Sequence, residues 1–190
     1  MKRFYRTLLL FALVLASVGS IAWQGRDSKP SAKITVQHSN VDGVPITTLE
    51  LDPIDIEHNA DSYIILNVLA AYEDHSSKPK SVSISFHSRS QRCRFSDKAD
   101  LLFVSDSDTI TVHSGAEKSS AAALWVFSEP EGNICNESCA AFISAQTFLR
   151  ITKSKHVEAR LGPLRLQLGE TQLNALRDFA VRISNPNGAV

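Results

Sequence analysis

Residues 81–86 read Ser-Val-Ser-Ile-Ser-Phe, which is the clearest period-two pattern in the chain. In an extended strand, Val82, Ile84 and Phe86 would all point to one side, and the serines would point to the other. This alternation is typical of a β-strand with one face in a core and the other outside it. A half-buried strand is therefore predicted at this position.

Other segments before residue 144 also favour strands. The predicted strands span 33–38, 45–51, 63–72, 101–104, 109–112, 122–127 and 141–143. The run at 63–72 is apolar almost throughout, so a central strand covered on both faces is expected there, with a helix as the competing interpretation. Its β-branched and aromatic residues favour the strand. The turn-prone residues 105–108 predict a hairpin, and residues 128–138 are expected to be rich in turns.

A helix and a second hairpin are predicted after residue 143. Ser144 is expected to cap a helix that runs to about residue 154. The apolar face of this helix would comprise Phe148, Leu149 and Thr152. Residues 156–161 and 164–168 lie on either side of Gly162-Pro163, a pair that favours a turn.

The last predicted element is a helix with Thr171 as its N-cap. Its apolar stripe repeats at three- and four-residue spacing and comprises Leu173, Leu176, Ala180 and Ile183, with Phe179 beside it. Asn185-Pro186-Asn187-Gly188 is expected to end this helix, because proline and glycine commonly follow a helix C-terminus.

Strands first and helices last indicate the α+β class, a mainly antiparallel β-sheet with two C-terminal helices against one face or end. A β-sandwich with peripheral helices is the alternative. The chain has 190 residues and is 43% hydrophobic, which suits a single domain with its own core. That domain is predicted at 32–185, followed by a tail at 186–190.

Three C-terminal segments carry a resemblance to a known family. They are Phe-Leu-Arg at 148–150, Val-Glu-Ala-Arg-Leu-Gly at 157–162 and Ala-Leu-Arg-Asp-Phe at 175–179. The pattern resembles one found in uncharacterised exported bacterial proteins, and it consists mainly of core and turn positions. The resemblance implies a bacterial origin and a helix–hairpin–helix ending. It implies no activity.

The N-terminus predicts export. Lys2, Arg3 and Arg6 precede an apolar run at 8–16, and small residues follow, as in a secretory signal peptide. Cleavage after Ala22 would suit these small residues. Residues 1–22 are therefore predicted to be a signal peptide or a signal anchor.

The anchor interpretation applies to residues 7–23. The apolar run is slightly shorter than the roughly 20 residues of a membrane-spanning helix, but Trp23 suits the membrane interface. Both interpretations place the following domain outside the cytoplasm, periplasmic or extracellular, because the positive end stays inside. A polar linker is predicted at 23–31.

The charge balance argues against nucleic acid as a partner. The chain has 20 Lys plus Arg and 20 Asp plus Glu, and three of the basic residues lie in the N-terminal segment. The exported part therefore carries 17 basic and 20 acidic residues, whereas a nucleic-acid-binding domain is strongly basic. The expected partner is another envelope protein or a surface ligand, with membrane contact only through the N-terminal segment.

The cysteines are Cys93, Cys135 and Cys139, and in an exported chain they would lie where disulfides persist. Their odd number implies a free thiol or a bond to another chain. Cys135 with Cys139 would close a short loop, whereas Cys93 with either would join distant strands. A structural disulfide is favoured over a redox pair, because redox pairs usually have two intervening residues and this spacing has three.

No dinucleotide fingerprint, phosphate loop, nucleophile elbow or zinc-protease motif occurs in the sequence. The candidate metal ligands lie in a predicted loop and are Asp52, Asp55, Glu57, His58 and Asp61. Four carboxylates within ten residues suit a hard cation, although a solvated acidic loop is the alternative. No cofactor is predicted.

The candidate binding residues are Arg89, Arg92 and Arg94, which surround Cys93. Guanidinium groups bind anionic ligands, lipid headgroups or acidic partners, although a solvated charged strand is the alternative. Strand alternation would place Arg92 and Arg94 opposite a buried Cys93. Trp125 lies in an apolar segment and is expected to belong to the core.

These features predict an exported protein that acts as a non-enzymatic binding or interaction module. Export, a strand-rich scaffold and the lack of a recognisable catalytic motif favour this hypothesis. The alternative is a small exported hydrolase with a carboxylate or metal site at 52–61.

Overall fold

The computed structural model describes residues 33–41, 44–73, 79, 81–95, 100–106, 108–113 and 123–185. The predicted signal peptide or anchor, the linker and the C-terminal tail lie outside these ranges. Neither helix in the described ranges is long and apolar enough to cross a membrane.

The described residues form ten strands and two helices. In chain order they are β1 (Ile34–Val41), β2 (Val44–His58), β3 (Tyr63–Glu73), β4 (Ser81–Ser90), β5 (Leu101–Ser105), β6 (Thr109–Val112), β7 (Ala123–Glu131), β8 (Ile134–Ser144), α1 (Ala145–Thr152), β9 (Val157–Leu161), β10 (Leu164–Leu168) and α2 (Glu170–Ser184). This order confirms the predicted α+β class, a mainly antiparallel sheet structure with two C-terminal helices.

The strands form two sheets. The large sheet has the order β1-β2-β3-β4-β8-β7, and the small sheet has the order β10-β9-β5-β6. All neighbouring strands are antiparallel. β4 lies inside the large sheet and directs Val82, Ile84 and Phe86 into the core, as their alternation predicts. β7 lies at an edge of this sheet.

β3 is a strand, as its β-branched and aromatic residues predict. Ile64, Leu66 and Val68 are buried, whereas Ile65 and Leu69 remain partly exposed. The expected burial of both faces is therefore only partial, because the core lies on one side of the sheet.

The stretch at 128–138 is a hairpin and not the expected turn-rich region. β7 continues to Glu131 and β8 begins at Ile134, so Gly132-Asn133 is the whole connection. Gly132 has a φ of +60°, which glycine adopts without steric cost. The turn-prone residue Pro130 lies in β7, because an edge strand tolerates a residue without an N–H group.

Of the two predicted helix N-caps, one is confirmed and the other is wrong. Ser144 caps α1 as predicted, and its hydroxyl accepts a hydrogen bond from the Thr147 N–H at 3.0 Å. Thr171 is not the N-cap of α2. That helix begins two positions earlier than expected, directly after Gly169, whose carbonyl accepts from the Leu173 N–H at 3.0 Å.

Both helices belong to the same core as the two sheets. Phe148 of α1 and Phe179 of α2 are fully buried and meet edge to face, with ring centroids 5.9 Å apart. The Tyr72 hydroxyl donates to the Ile183 carbonyl at 3.1 Å and so ties β3 to α2. The helices are therefore part of the core, whereas the alternative β-sandwich would have peripheral helices.

We expect Phe179→Ala to lower the free energy of unfolding by about 3–5 kcal/mol, because it leaves a cavity between both helices and the sheet. Val181→Ala is the control on the same helix, since Val181 is 64% exposed, and it should change stability by less than about 0.5 kcal/mol. Denaturant unfolding measures both values. Equal effects of the two variants would contradict this packing.

Candidate functional site

The candidate metal ligands do not lie in a loop. Four of the five lie in β2, which extends to His58, and only Asp61 follows the strand. The pairing of β2 with β3 shifts register twice, between Leu51 and Ile54 and between Asp55 and Glu57. Such bulges accommodate charged residues and a proline in a strand, which is why the expectation of a loop was wrong.

One group of potential metal ligands occurs in the described parts of the chain. It comprises Cys93, Cys135 and Glu137, whose ligand atoms lie within 4.8 Å of one another. The two sulfur atoms are joined in a disulfide, so they are not available as thiolate ligands. None of the five candidate ligands from the 52–61 region belongs to this group.

The disulfide joins the segment after β4 to the start of β8. Cys93 and Cys135 are 42 positions apart in sequence, and their Cα atoms are 5.3 Å apart. Cys135 and Cys139 both lie on β8, which places their Cα atoms about 13 Å apart along the strand. This separation exceeds the roughly 7 Å limit for a disulfide, so the short-loop pairing is excluded.

Cys139 is the free cysteine, and it is fully buried in the core. Burial raises the pKa of this thiol to about 12. The nucleophilic form of cysteine is the thiolate. Cys139 is therefore protonated and chemically inert near neutral pH.

The three candidate arginines do not share one strand. β4 carries Arg89 and ends at Ser90, whose hydroxyl donates to the Arg92 carbonyl at 2.6 Å as the chain turns. The strand alternation expected for Arg92, Cys93 and Arg94 was therefore wrong. Cys93 is exposed, whereas the Arg94 side chain is only 23% exposed.

Glu137 holds this turning segment against β8. The residue is 2% exposed, and its carboxylate accepts hydrogen bonds from the backbone N–H groups of Arg94 at 2.6 Å and Phe95 at 2.8 Å. The Ser128 hydroxyl donates to the same carboxylate at 3.3 Å. These bonds offset the cost of burying a charged group.

Arg94 also connects the two predicted sites. Its Nη1 donates to a Glu57 carboxylate oxygen at 2.8 Å, so one candidate metal ligand and one candidate binding residue are in contact. The Nε and Nη2 atoms of Arg94 are buried and have no hydrogen-bond partner among the described residues. This ion pair, the Glu137 carboxylate and the disulfide together hold residues 93–95 against β2 and β8 at one end of the large sheet.

The most exposed aromatic side chains of the described strands lie on β7. Trp125 is 47% exposed and Phe127 is 63% exposed, and both point away from the buried Leu124. The expectation that Trp125 belongs to the core was therefore wrong. Its ring packs edge to face on Phe142 of β8, with centroids 5.3 Å apart. We call Trp125 and Phe127, with the outer backbone of β7, the aromatic edge.

The surface beside the aromatic edge is polar, and the exposed Glu129 follows Phe127 on the same face of β7. Phe127 is paired in register with Ser138, and Ser138 with His87. The His87 Nδ1 lies 2.9 Å from the Ser138 hydroxyl, and its Nε2 lies 3.2 Å from that of Ser85. Burial lowers the pKa of His87, so the imidazole is neutral near pH 7.

One signal in the sequence could have revealed the aromatic edge. A proline within an otherwise strand-like run indicates an edge strand. Pro130 comes directly after the strand-like run Leu-Trp-Val-Phe-Ser-Glu at 124–129. An edge strand has neighbours on one side only. Large apolar residues on both of its faces are therefore expected to be partly exposed.

Comparison with known proteins adds no relative. No protein-family model, no curated protein and no solved structure matches this chain.

The cysteine assignment predicts a specific count of reactive thiols. The folded chain should react with no maleimide on the timescale of minutes, because Cys139 is buried. The denatured, unreduced chain should take up one maleimide, and the denatured, reduced chain three. Intact mass spectrometry measures each state. More than one label without reduction would contradict the Cys93–Cys135 disulfide.

We expect Glu137→Ala to lower the free energy of unfolding by about 3 kcal/mol, because it leaves two buried backbone N–H groups unpaired. Glu137→Gln should cost less, since the amide oxygen still accepts one of these bonds. The control is Glu131→Ala in the same hairpin, where the side chain is exposed. Urea unfolding measures the free energy of unfolding of all three variants. A loss of stability in Glu137→Ala as small as that in the control would show that the carboxylate does not stabilise this segment.

Proposed function

We propose that this chain is an exported, non-enzymatic binding protein and that the aromatic edge is its binding surface. The observation that carries the proposal is the exposure of Trp125 and Phe127 on a strand at the edge of the sheet. Tryptophan, tyrosine and phenylalanine are enriched in protein interfaces, and tryptophan often supplies much of the binding energy.

Export is supported by the disulfide and by the N-terminal sequence. Disulfides form and persist in oxidising compartments, such as the periplasm and the extracellular space. The basic start and apolar run of residues 1–22 are those of a secretory segment. We place the domain in the periplasm or outside the cell, with residues 7–23 as its tether to the inner membrane if they are not cleaved.

The class of partner follows from the chemistry of the aromatic edge. An edge strand presents backbone N–H and C=O groups that are matched by another extended strand. The rings of Trp125 and Phe127 add apolar area, the adjoining Ser138 and neutral His87 add no positive charge, and Glu129 on the same face is acidic. These properties favour a protein partner that adds a strand with apolar side chains over an acidic ligand or a nucleic acid.

Photo-crosslinking of the full-length chain in its native compartment tests this function. Replacing Phe127 by p-benzoylphenylalanine places the reactive group on the aromatic edge, with little change to an exposed ring. The same replacement at Val181, which is 64% exposed on α2, is the matched control. We expect a discrete light-dependent product from position 127 and none from position 181.

Two outcomes would contradict the proposal. Failure of position 127 to give any product in the compartment where the chain resides would remove the aromatic edge as a binding surface. Equal products from positions 127 and 181 would show contact without a preferred surface.

A further inference from the structure

We infer that the partner at the aromatic edge is a second copy of this chain, joined β7 to β7 about a two-fold axis at Val126. The inference rests on the proposed function, because it uses the same surface. It goes further by specifying the occupant of that surface and the pairing register.

The hairpin fixes which backbone groups of β7 point away from β8, on the side where no described strand pairs with it. Its two-residue turn is closed by Glu131 and Ile134, and such a turn is flanked by a hydrogen-bonded pair. Hydrogen-bonded and non-hydrogen-bonded pairs then alternate along an antiparallel ladder. The backbone N–H and C=O groups of Leu124, Val126 and Ser128 therefore point away from β8, towards the open edge.

Pro130 occupies the next outward position. Its missing N–H costs nothing in the pairing with β8, because this position does not hydrogen-bond to β8. It also removes the donor that would extend the open edge in that direction. The edge available for pairing is thus a short one, centred on Val126, with three outward donors and three outward acceptors.

An axis at Val126 satisfies all of these groups. It places Val126 opposite its own copy, and Leu124 opposite Ser128 of the second copy. The three outward donors of each chain then meet the three outward acceptors of the other, which gives six interchain backbone hydrogen bonds. The arrangement is isologous, as closed two-fold dimers require.

The same axis brings the aromatic rings together. Trp125 lies opposite Phe127 of the second copy, and Phe127 lies opposite Trp125. These are non-hydrogen-bonded positions, where opposite side chains approach most closely. An axis at Trp125 or at Phe127 would instead leave one ring of each chain opposite Ala123 or Glu129.

The charges of the strand are compatible with this register. Glu129 lies opposite Ala123 of the second copy, so no carboxylate faces another across the new pair. Like charges directly opposite each other would destabilise the pairing. The adjoining His87 is neutral near pH 7 because burial lowers its pKa, and it adds no repulsion.

The exposed area indicates how strong the dimer is. Rings that are about half exposed offer roughly 100 Å² each, so four rings offer about 400 Å². Stable interfaces bury about 1,200–2,000 Å² in total. The backbone edge adds to the ring area, but we still expect a dimer that dissociates on dilution.

Cysteine crosslinking of the full-length chain tests the register. Val126→Cys should be linked to itself by a short bismaleimide, because residue 126 meets its own copy at the axis. Ser128→Cys is the matched control on the same open edge, and its two copies would be about 14 Å apart. The wild type should give no product, because Cys139 is buried with a pKa raised to about 12 and the other cysteines are in a disulfide.

Sedimentation velocity over a range of concentrations tests the association. Phe127→Lys should abolish the dimer by placing a charge opposite Trp125, whereas Val181→Lys, at a residue of similar exposure, should not. Circular dichroism confirms that both variants fold.

The outcomes separate this inference from the proposed function. A dimer linked through position 126 and lost in Phe127→Lys supports the inference. A product between position 126 and a different protein, without a self-linked dimer, overturns the second copy as the occupant and retains the binding surface. A chain that remains monomeric and unlinked at every concentration overturns the inference, and the photo-crosslink at 127 then decides the proposed function independently.

Discussion

Among the described residues, the large sheet contributes only one of its faces to the core, and most other features of the molecule depend on this constraint. Both helices and the small sheet share one core with that face. The alternating residues of the opposite face must therefore be partly exposed or satisfied by one another. His87, Ser85 and Ser138 are hydrogen-bonded to each other there, whereas Trp125 and Phe127 remain exposed at the edge.

The most strongly polar group on the core face is satisfied by hydrogen bonds. This group is Glu137, because two backbone N–H groups and a hydroxyl surround its carboxylate. The disulfide and the Arg94–Glu57 ion pair secure the same end of the sheet. This end is thus held together by covalent and charged contacts, whereas no described strand pairs with the outer side of β7.

The fold could be predicted largely from local patterns. Alternation at 81–86 and the helical stripe at 173–183 each specify which face is apolar, and burial follows that face. The β-branched run at 63–72 specifies a strand but not which of its faces is buried. The candidate sites could not be predicted in the same way. The contact between Arg94 and Glu57 spans 37 positions, and the bulges in β2 that place Glu57 leave no clear periodicity.

The sequence by itself determined the fold class and the apolar faces of β4 and α2, because side-chain periodicity is a local property. It also determined that one cysteine must lack a partner within the chain. Only the tertiary structure decided which cysteine that is, that Glu137 is buried and that Trp125 is exposed. These outcomes depend on strand order, since β8 lies between β4 and β7 and leaves β7 at the edge. Strand order is set by contacts between segments that are distant in sequence, so no local pattern encodes it.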